Sequence, residues 1–338
     1  MAVLKSEFTK FHKTIKLDQY SENKKLREKR DLLVNELTEK LKDETVPDSD
    51  KKLTFTKFDL GSYAMNTGIK PKNDDYDIDV GIVFDITNDE YDSNKLKQLV
   101  FDKLDEQHNR TVEFNRPCIT VKYSDDYHVD LVLYSDNDAD FHIAWGKKHS
   151  KTNRCWYKAQ PKKLTSWVKD VSNQDNESAQ FRRSVRYLKK WKLKHFSSIG
   201  NEAPPSIGLT IQTRNAFHDN SCYVEDNDLN ALINVVKQIK NSFTTKLDLE
   251  SMSFKKSVSI ELPVSPYKDV YYKMTLNQLD NFSDKIDDLL EALENARDED
   301  SAYEASKILQ QVFGDDFPLA EDIKKSYVKP ATVTGNNA

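Results

Sequence analysis

The stretch GSYAMNTGIKPKNDDYDIDVGIVF at residues 61–84 decides how the rest of the chain is interpreted. Its second half alternates apolar and polar side chains, which predicts a β-strand over Tyr76–Asp85. Because successive side chains of a strand point to opposite faces, Asp77 and Asp79 project together from the face opposite Ile78. Neighbouring carboxylates raise each other's pKa unless a cation lies between them. The pair therefore indicates a divalent metal, and Mg²⁺ fits because it prefers carboxylate oxygens.

A second acidic strand is predicted by the segment HVDLVLYS at residues 128–135. Its apolar residues share one face, and Asp130 points to the other. If the two strands are neighbours, Asp130 joins Asp77 and Asp79 in one pocket, and three carboxylates can hold two metals about 3.5–4 Å apart for phosphoryl transfer. A lone Asp-x-Asp is more often a solvated strand face. Asp85 shares the parity of Asp79 but lies about 20 Å farther along the strand, so it is excluded.

The Gly61-Ser62 pair precedes the first acidic strand. Glycine there lets backbone N–H groups approach a phosphate, and the serine hydroxyl can donate to another phosphate oxygen. Gly-Ser alone is a common loop dipeptide, but its combination with two acidic strands is much rarer. Phosphate sites of the Rossmann and Walker types are excluded, because the chain has only 8 glycines and contains neither G-x-G-x-x-G nor a Walker motif.

The length of 338 residues suggests about two domains. Strands and helices alternate up to residue 140, which predicts an α/β or α+β domain with N-terminal helices. Residues 141–327 are predicted to form a mostly helical domain, and residues 328–338 a flexible polar tail. The expected helices cover residues 1–45, 94–107, 179–196 and 276–311, the expected strands cover 52–60, 76–85, 111–123 and 127–134, and a break falls at 201–205.

Composition excludes several classes of protein. Apolar residues make up 37% and charged residues 32% of the chain, and no apolar run approaches the ~20 residues that span a bilayer. The N-terminal sequence MAVLKSEFTKFHK lacks the apolar segment of a secretory signal. Cys118, Cys155 and Cys222 offer neither a disulfide framework nor a zinc spacing. We therefore expect a cytoplasmic protein with no membrane partner.

Basic residues are concentrated locally, although the net charge is −5. Residues 141–169 contain no acidic side chain, and their lysines surround Trp156 and Tyr157. Such a cluster can attract an anionic ligand whatever the sign of the net charge. Lysine-rich segments are nevertheless most often solvated faces.

The helix predicted over Ala179–Phe196 carries a second basic cluster. Arg182, Arg186 and Lys189 form a stripe that is rotated by one residue from the apolar stripe of this helix. Cations beside a packed face are well placed to meet a triphosphate, and the alternative is a solvated helix edge with extended side chains. The predicted triad of Asp77, Asp79 and Asp130 favours phosphate binding by this stripe.

Together these motifs resemble the DNA polymerase β-like nucleotidyltransferases, whose signature is Gly-Ser, Asp-x-Asp and a later third Asp. Within that superfamily the chain is similar to the bacterial branch of oligoadenylate synthetases and cyclic GMP-AMP synthase, called CD-NTases. The resemblance implies an α+β fold, with a polymerase β-like core of mixed sheet and flanking helices and a C-terminal helical domain. The blocks that carry it are residues 61–84, FRRSVRYLKKWK at 181–192, PPSIGLT at 204–210 and ASKILQQVFGDDFP at 305–318.

The resemblance implies an enzyme that uses Mg²⁺ or Mn²⁺ to join nucleoside triphosphates into a cyclic or linear oligonucleotide, with release of pyrophosphate. In bacteria such products are second messengers in anti-phage (CBASS) defence. Carried over from the family, Asp77, Asp79 and Asp130 are the metal ligands, and Asp130 also activates the attacking hydroxyl. The nucleotide-binding residues expected are Gly61 and Ser62, Lys189 and Ser206 on the donor phosphates, and Arg182 and Arg186 on the same helix.

Two other functions share parts of this pattern. A nucleotidyltransferase that adds one nucleotide to a small molecule, RNA or protein has the same triad and a different acceptor pocket. A non-catalytic RNA-binding module would use residues 147–163 with Trp156 and Tyr157, but it gains nothing from carboxylates beside a polyanion. DNA sensing through a zinc-binding insertion is not expected, because the sequence has no Cys/His cluster of that kind and His128, His142 and His149 have no ligand spacing.

The polar tail that ends at Ala338 suggests one more hypothesis. Some enzymes of this family are conjugated through their C-terminus by ubiquitin-transfer-like partners encoded by neighbouring genes. An ordinary frayed terminus is the alternative explanation.

Overall fold

The computed structural model describes residues 4–17, 21–71, 76–107, 110–138, 140–150, 152, 154–197 and 199–322. The tail at 328–338, with its conjugation hypothesis, lies outside the described residues. The described chain forms a mixed sheet with flanking helices, followed mainly by helices. The predicted α+β fold class is confirmed. No helix in this described part is long and apolar enough to cross a bilayer.

The described residues form helices and strands in the following order. The helices are α1 (Lys5–Ile15), α2 (Ser21–Leu41), α3 (Gly61–Ala64), α4 (Ser93–Asp105), α5 (Pro161–Lys169), α6 (Asp175–His195), α7 (Ser206–Asn220), α8 (Asp228–Asn241), α9 (Leu276–Asp298) and α10 (Ala302–Phe313). The strands are β1 (Phe55–Asp59), β2 (Tyr76–Phe84), β3 (Arg110–Phe114), β4 (Ile119–Tyr123), β5 (Tyr127–Asn137), β6 (Asp140–Trp145), β7 (Cys155–Lys158), β8 (Thr244–Asp248) and β9 (Ser253–Ser257).

The larger sheet makes the two acidic strands neighbours. Its strands run in the order β1-β2-β5-β4-β3, and β6 and β7 continue it from β5. Strands β2 and β5 are parallel, whereas the other pairs of this sheet are antiparallel. A parallel pair needs a long crossover connection, which α4 and the β3–β4 hairpin provide here. The pairing on which the acidic pocket depends is therefore present.

The strand predicted over 111–123 is wrong, because the chain reverses direction within it. The structure has a hairpin of β3 and β4, and the Asn115 N–H donates to the Cys118 carbonyl at 3.0 Å to close the turn. Pro117 lies inside this turn, where its missing N–H and fixed φ are tolerated. Because both strands alternate with the same period, the sequence pattern predicted them as a single strand.

Two predicted helices are also divided. The N-terminal helix is α1 and α2, and the helix predicted over 276–311 is α9 and α10. Ser301 starts α10, because its side chain accepts the N–H of Glu304 as an N-cap. Helical periodicity continues across this short break, so the apolar pattern did not reveal it.

The core consists of two clusters of buried residues. The division between these clusters does not follow the predicted domain boundary at 140/141. One cluster joins the sheet to α2 and α4. The other joins α6–α10 and also includes Phe8 and Phe11 of α1, whose rings contact Tyr187. Helix α1 therefore packs with the helical part, and the sheet continues through β6 and β7 beyond residue 140. The N-terminal helices do not all belong to the catalytic core.

Candidate active site

The register of β2 and β5 brings the acidic residues together. Asp79 is the direct partner of Asp130 in the parallel pair, and Asp77 is the partner of His128. Neighbouring strands lie about 4.8 Å apart, and paired residues of parallel strands project from the same face. Asp77, Asp79 and Asp130 therefore share one face of the sheet, opposite the apolar core that Ile78 and Val129 enter.

The surroundings of Asp79 oppose its ionisation. Burial, followed by the charges of Asp77 and Asp130, raises the pKa of Asp79 to about 7, and the attraction of Lys189 opposes this shift. A carboxylate in this setting lacks full compensation of its charge in the protein alone. The site is therefore prepared for a cation.

Gly61 is required by the close approach of the loop to Asp79. Its φ is +61°, a conformation that L side chains rarely adopt, and a Cβ placed on it would lie 2.0 Å from Asp79 Oδ2. The neighbouring Leu60 N–H donates to the Asp79 carbonyl at 3.0 Å. The Gly-Ser pair thus starts the short helix α3 in direct contact with the carboxylates, and Ser62 lies half-buried in its first turn.

Helix α6 holds the loop that follows this pair. The Lys189 ammonium donates to the carbonyl of Thr67 at 2.9 Å and to its hydroxyl at 3.2 Å. The Arg186 guanidinium donates to the carbonyls of Asn66 at 2.6 Å and Gly68 at 3.1 Å. These contacts attach the helical part of the molecule to the segment that carries Gly61 and Ser62.

Lys189 lies within electrostatic reach of the acidic face. Burial, and then the charges of Lys192 and Arg186, lower the pKa of Lys189 to about 7, while Asp77 and Asp79 act to raise it. This buried ammonium therefore contacts the loop and also interacts electrostatically with the carboxylates. Its observed partner is Thr67, so the structure shows a contact with the loop at the position where the sequence predicted a contact with phosphate.

Lys192 is a candidate residue that the sequence analysis missed. It lies one helical turn after Lys189, and its ammonium donates to the Ser206 hydroxyl at 2.6 Å. Burial lowers the pKa of Lys192. The available signal was the i, i+3 spacing from Lys189, which places both cations on one side of α6. The structure thus joins the predicted Ser206, at the start of α7, to a different lysine.

The remaining predicted cations have different surroundings. Arg186 is engaged by the loop carbonyls described above and also contacts His12 Nε2 at 3.2 Å. Arg182 lies two turns before Lys189, about 10 Å along the helix axis, and burial with the charge of Arg183 lowers the pKa of Arg182. Of the predicted stripe, the structure therefore brings Lys189 within electrostatic reach of the acidic face, and Lys192 lies one turn farther along α6.

The basic and aromatic segment at 141–169 is partly occupied by structural contacts. The Trp156 indole N–H donates to the Tyr91 carbonyl at 2.8 Å. Lys148 lies over the ring of Phe101, and Lys162 over the ring of Phe58. Several members of this segment thus have structural partners in the sheet and its neighbours.

Comparisons with known proteins agree with this geometry. Residues 56–134 match the family model described as "Cyclic GMP-AMP synthase DncV-like, nucleotidyltransferase domain". Together with the relatives and solved structures that match this chain, it supports a bacterial CD-NTase of the DNA polymerase β-like superfamily. The matched segment contains Gly61, Ser62 and all three aspartates, so the nucleotidyltransferase domain is the part of the chain that carries the candidate site.

Two curated relatives are named as synthases of cyclic dinucleotides. A cyclic GMP-AMP synthase from Escherichia albertii is 28% identical over 186 residues, which cover 52% of this chain and 40% of that protein. A c-di-GMP synthase from Roseivirga ehrenbergii is 20% identical over 269 residues, which cover 69% of this chain and 67% of that protein. The chain thus aligns with less than half the length of the first relative.

Solved structures share the fold. The Bradyrhizobium diazoefficiens CD-NTase CdnG in complex with GTP has a TM-score of 0.69 at 14% identity, covering 93% of this chain and 96% of that one. The Vibrio cholerae DncV cyclic AMP-GMP synthase with the linear intermediate pppA(3′,5′)pG has a TM-score of 0.62 at 21% identity, covering 79% and 70%. The likeness extends over both parts of the core.

The donor chemistry of the acidic site fits a divalent metal. Nucleotidyltransferases of this type generally use divalent metals. Among the residues that the structure describes, no three His, Cys, Asp or Glu side chains are already gathered closely enough to hold one ion. Asp79 is nevertheless half-buried beside two like charges, and carboxylate oxygens are the ligands that Mg²⁺ and Mn²⁺ prefer. The residues present fit the group.

Proposed function

We propose that this CD-NTase joins nucleoside triphosphates into a cyclic dinucleotide and releases pyrophosphate. The observation that carries the proposal is the direct pairing of Asp79 with Asp130, in a site where the Gly61 backbone contacts the Asp79 carboxylate. Relatives named as cyclic GMP-AMP and c-di-GMP synthases support this class of product. The site supplies the two requirements of the reaction, which are carboxylates for metals and a backbone approach for phosphates.

The proposed reaction assigns a role to each part of the site. A sugar hydroxyl of one nucleotide attacks the α-phosphorus of another, a new P–O bond forms, and the bond to the pyrophosphate oxygen breaks. Asp130 accepts the proton of the attacking hydroxyl. Mg²⁺ or Mn²⁺, when bound by Asp77, Asp79 and Asp130, would supply electrophilic stabilisation of the phosphates. A second transfer of the same kind closes the ring.

The basic residues of α6 complete the donor site in this proposal. Lys192 and Ser206 contact the outer donor phosphates, because their side chains already meet at the start of α7. Lys189 keeps its bond to Thr67 and so maintains the loop after Gly61-Ser62. Ser206 thereby keeps the phosphate contact that was predicted for it, whereas Lys189 supports the loop.

The proposed product suggests a cellular role. A cyclic dinucleotide made by a CD-NTase serves as a second messenger, and we place the chain in anti-phage (CBASS) signalling in the cytoplasm. Its substrates are nucleoside triphosphates, which fits the GTP-bound and intermediate-bound states named for the structural neighbours. Operon-encoded regulatory or ubiquitin-transfer-like proteins are the partners proposed.

Product analysis tests the reaction and its alternative. The full chain is incubated with all four triphosphates and Mg²⁺ or Mn²⁺, and the products are identified by mass spectrometry. Cyclic dinucleotide formed from triphosphates alone is expected, and it excludes a required external acceptor. Product that appears only after an RNA, protein or small molecule is added would instead identify a single-nucleotide transferase. Asp85→Asn, at the exposed residue that follows β2, is the matched control for loss of a carboxylate.

A further inference from the structure

Strand β4 supplies a direct partner for Asp130. Thr120 is paired with Asp130 across the antiparallel β4–β5 register. The Thr120 hydroxyl is buried and donates to Asp130 Oδ1. A hydrogen bond to a carboxylate is stronger and more directional than a neutral one. One oxygen of the third carboxylate is therefore held by the sheet itself.

The direction of this hydrogen bond is fixed by Asn115. The Asn115 amide nitrogen donates to Thr120 Oγ1 at 2.9 Å and lies 3.5 Å from Glu113 Oε2. A carboxylate accepts only, so Glu113 selects the NH₂ group of the amide on this side. Because Thr120 Oγ1 already accepts from Asn115, the single hydroxyl hydrogen of Thr120 is left for Asp130. The chain of donors runs from Asn115 through Thr120 to Asp130.

A buried lysine holds the start of this chain. Asn115 lies in the β3–β4 turn, and the Lys97 ammonium donates to the carbonyls of Asn115 at 2.5 Å, Arg116 at 2.9 Å and Gly146 at 3.2 Å. Lys97 is only 1% exposed. Three carbonyl partners on one buried ammonium restrict the position of the turn. By holding the backbone of Asn115, Lys97 thus restricts the position of the Asn115 side chain.

We propose that Thr120 and Asn115 are positioning residues that aim the Asp130 carboxylate. Thr120 occupies Oδ1, so Oδ2 is the oxygen presented to the cation and to the attacking hydroxyl. The inference rests on the proposed function, in which Asp130 accepts the proton. A carboxylate that turns freely would spend less time in the productive orientation, and small misplacements of reacting groups are costly in rate.

Steady-state kinetics of four single variants test this role. Thr120→Val removes the hydroxyl and keeps the branched shape, and we expect turnover to fall by about ten- to a hundredfold with little change in the KM for triphosphate. Thr120→Ser keeps the donor and should restore turnover to within about threefold of wild type. Asn115→Asp places an acceptor beside Thr120, which draws the hydroxyl hydrogen away from Asp130, so it should resemble Thr120→Val. Thr111→Val, on the exposed side of β3, is the control and should behave as wild type.

A double variant and a structural measurement separate aiming from general stability. If the two residues act through one chain, Asn115→Asp should have little further effect on turnover in the Thr120→Val background. A crystal structure of Thr120→Val should show Asp130 in a rotated or alternative side-chain conformation within an unchanged sheet. An unmoved Asp130 with wild-type turnover would overturn the inference. Because the crystal structure does not depend on activity, an inactive wild-type protein would count against the proposed function alone.

Discussion

The acidic and basic sides of the candidate site are built in different ways. Asp77, Asp79 and Asp130 lie on two hydrogen-bonded strands, where backbone register fixes their spacing. Lys189 and Lys192 lie on α6, and reach the site through contacts made by flexible side chains with Thr67 and Ser206. The acidic side is rigid because a sheet cannot slip by one residue without moving its apolar face into solvent. The basic side depends on packing between the sheet part and the helical part.

This difference predicts different failures when each side is changed. In the proposed function the carboxylates take part in the chemical step, so their loss should lower turnover. The same proposal places Lys192 on the phosphates and Lys189 in support of the loop, so their loss should separate into effects on KM and on turnover. Substitutions on the two sides can therefore be compared by which kinetic parameter they change.

The largest effect is expected for the acidic side. Asp77→Asn and Asp79→Asn each remove a metal-ligand charge and should lower turnover by about a thousandfold or more, since metal assistance contributes several kcal/mol to phosphoryl transfer. Initial rates of product formation measure this loss. Asp85→Asn, directly after β2, should keep wild-type rates. Near-normal turnover in both acidic-site variants would exclude the triad assignment.

A smaller but clear effect is expected where the loop contacts the acidic side. Gly61→Ala places a methyl group 2.0 Å from Asp79 Oδ2 at a φ of +61°, so turnover should fall by about a hundredfold through displacement of that carboxylate. The backbone strain should also lower the free energy of unfolding by about 1–3 kcal/mol.

Gly200→Ala is the matched control for Gly61→Ala. Its φ is +67°, and nothing lies within 4 Å of the added methyl group. It should show the backbone strain in thermal unfolding while keeping normal turnover. Equal kinetic losses in the two variants would show that strain alone, rather than contact with Asp79, explains the Gly61 effect.

The two lysines should separate by kinetic parameter. Lys192→Met removes a charge beside Ser206 and should raise the KM for triphosphate by about ten- to a hundredfold with little change in turnover. Lys189→Met should instead lower turnover by about tenfold, because the loop at Thr67 loses its buried partner. Initial rates over a range of triphosphate concentrations distinguish the two patterns. The reverse assignment, with the larger KM effect at Lys189, would restore the role that the sequence predicted for that residue.

The sequence predicted the acidic side better than the basic side for a physical reason. Parity along a strand is local, so the shared face of Asp77 and Asp79 follows from their spacing, and the third aspartate follows once two strands are neighbours. Lys192 depends on which turn of α6 meets the start of α7, and that contact is set by tertiary packing. The division of 111–123 into β3 and β4 also could not be predicted from periodicity, because both strands have the same period.

That hidden turn has a consequence for the site. Its reversal places Asn115 beside Thr120, and so behind Asp130. A single strand over 111–123 would have carried Asn115 away from Thr120 by about five residues of extended chain. The support of the third carboxylate was therefore the part of the acidic side that could not be predicted locally.

The smallest predicted effect is on stability, and it follows from the raised pKa of Asp79. In the folded, metal-free protein this pKa is about 7, against 3.8 for the ordinary group. As the pH rises from about 4 to 7, the unfolded chain loses this proton before the folded protein does, so wild type is progressively destabilised by the buried charge. Above pH 7 the full penalty is present. Asp79→Asn carries no such charge and escapes it.

The expected result is a stabilisation of Asp79→Asn that grows with pH. Each unit of pKa shift corresponds to about 1.4 kcal/mol, and screening by solvent at this half-buried site reduces it, so we expect about 1–3 kcal/mol at pH 8 and much less at pH 4. Denaturant unfolding in the presence of a chelator measures the difference. The attraction of Lys189 opposes the effect, but it is weaker than burial and the two neighbouring carboxylates. If the difference in free energy of unfolding between Asp79→Asn and wild type is the same at pH 4 and pH 8, the acidic side is not strained without metal. Its charge is then already balanced by the cations of α6.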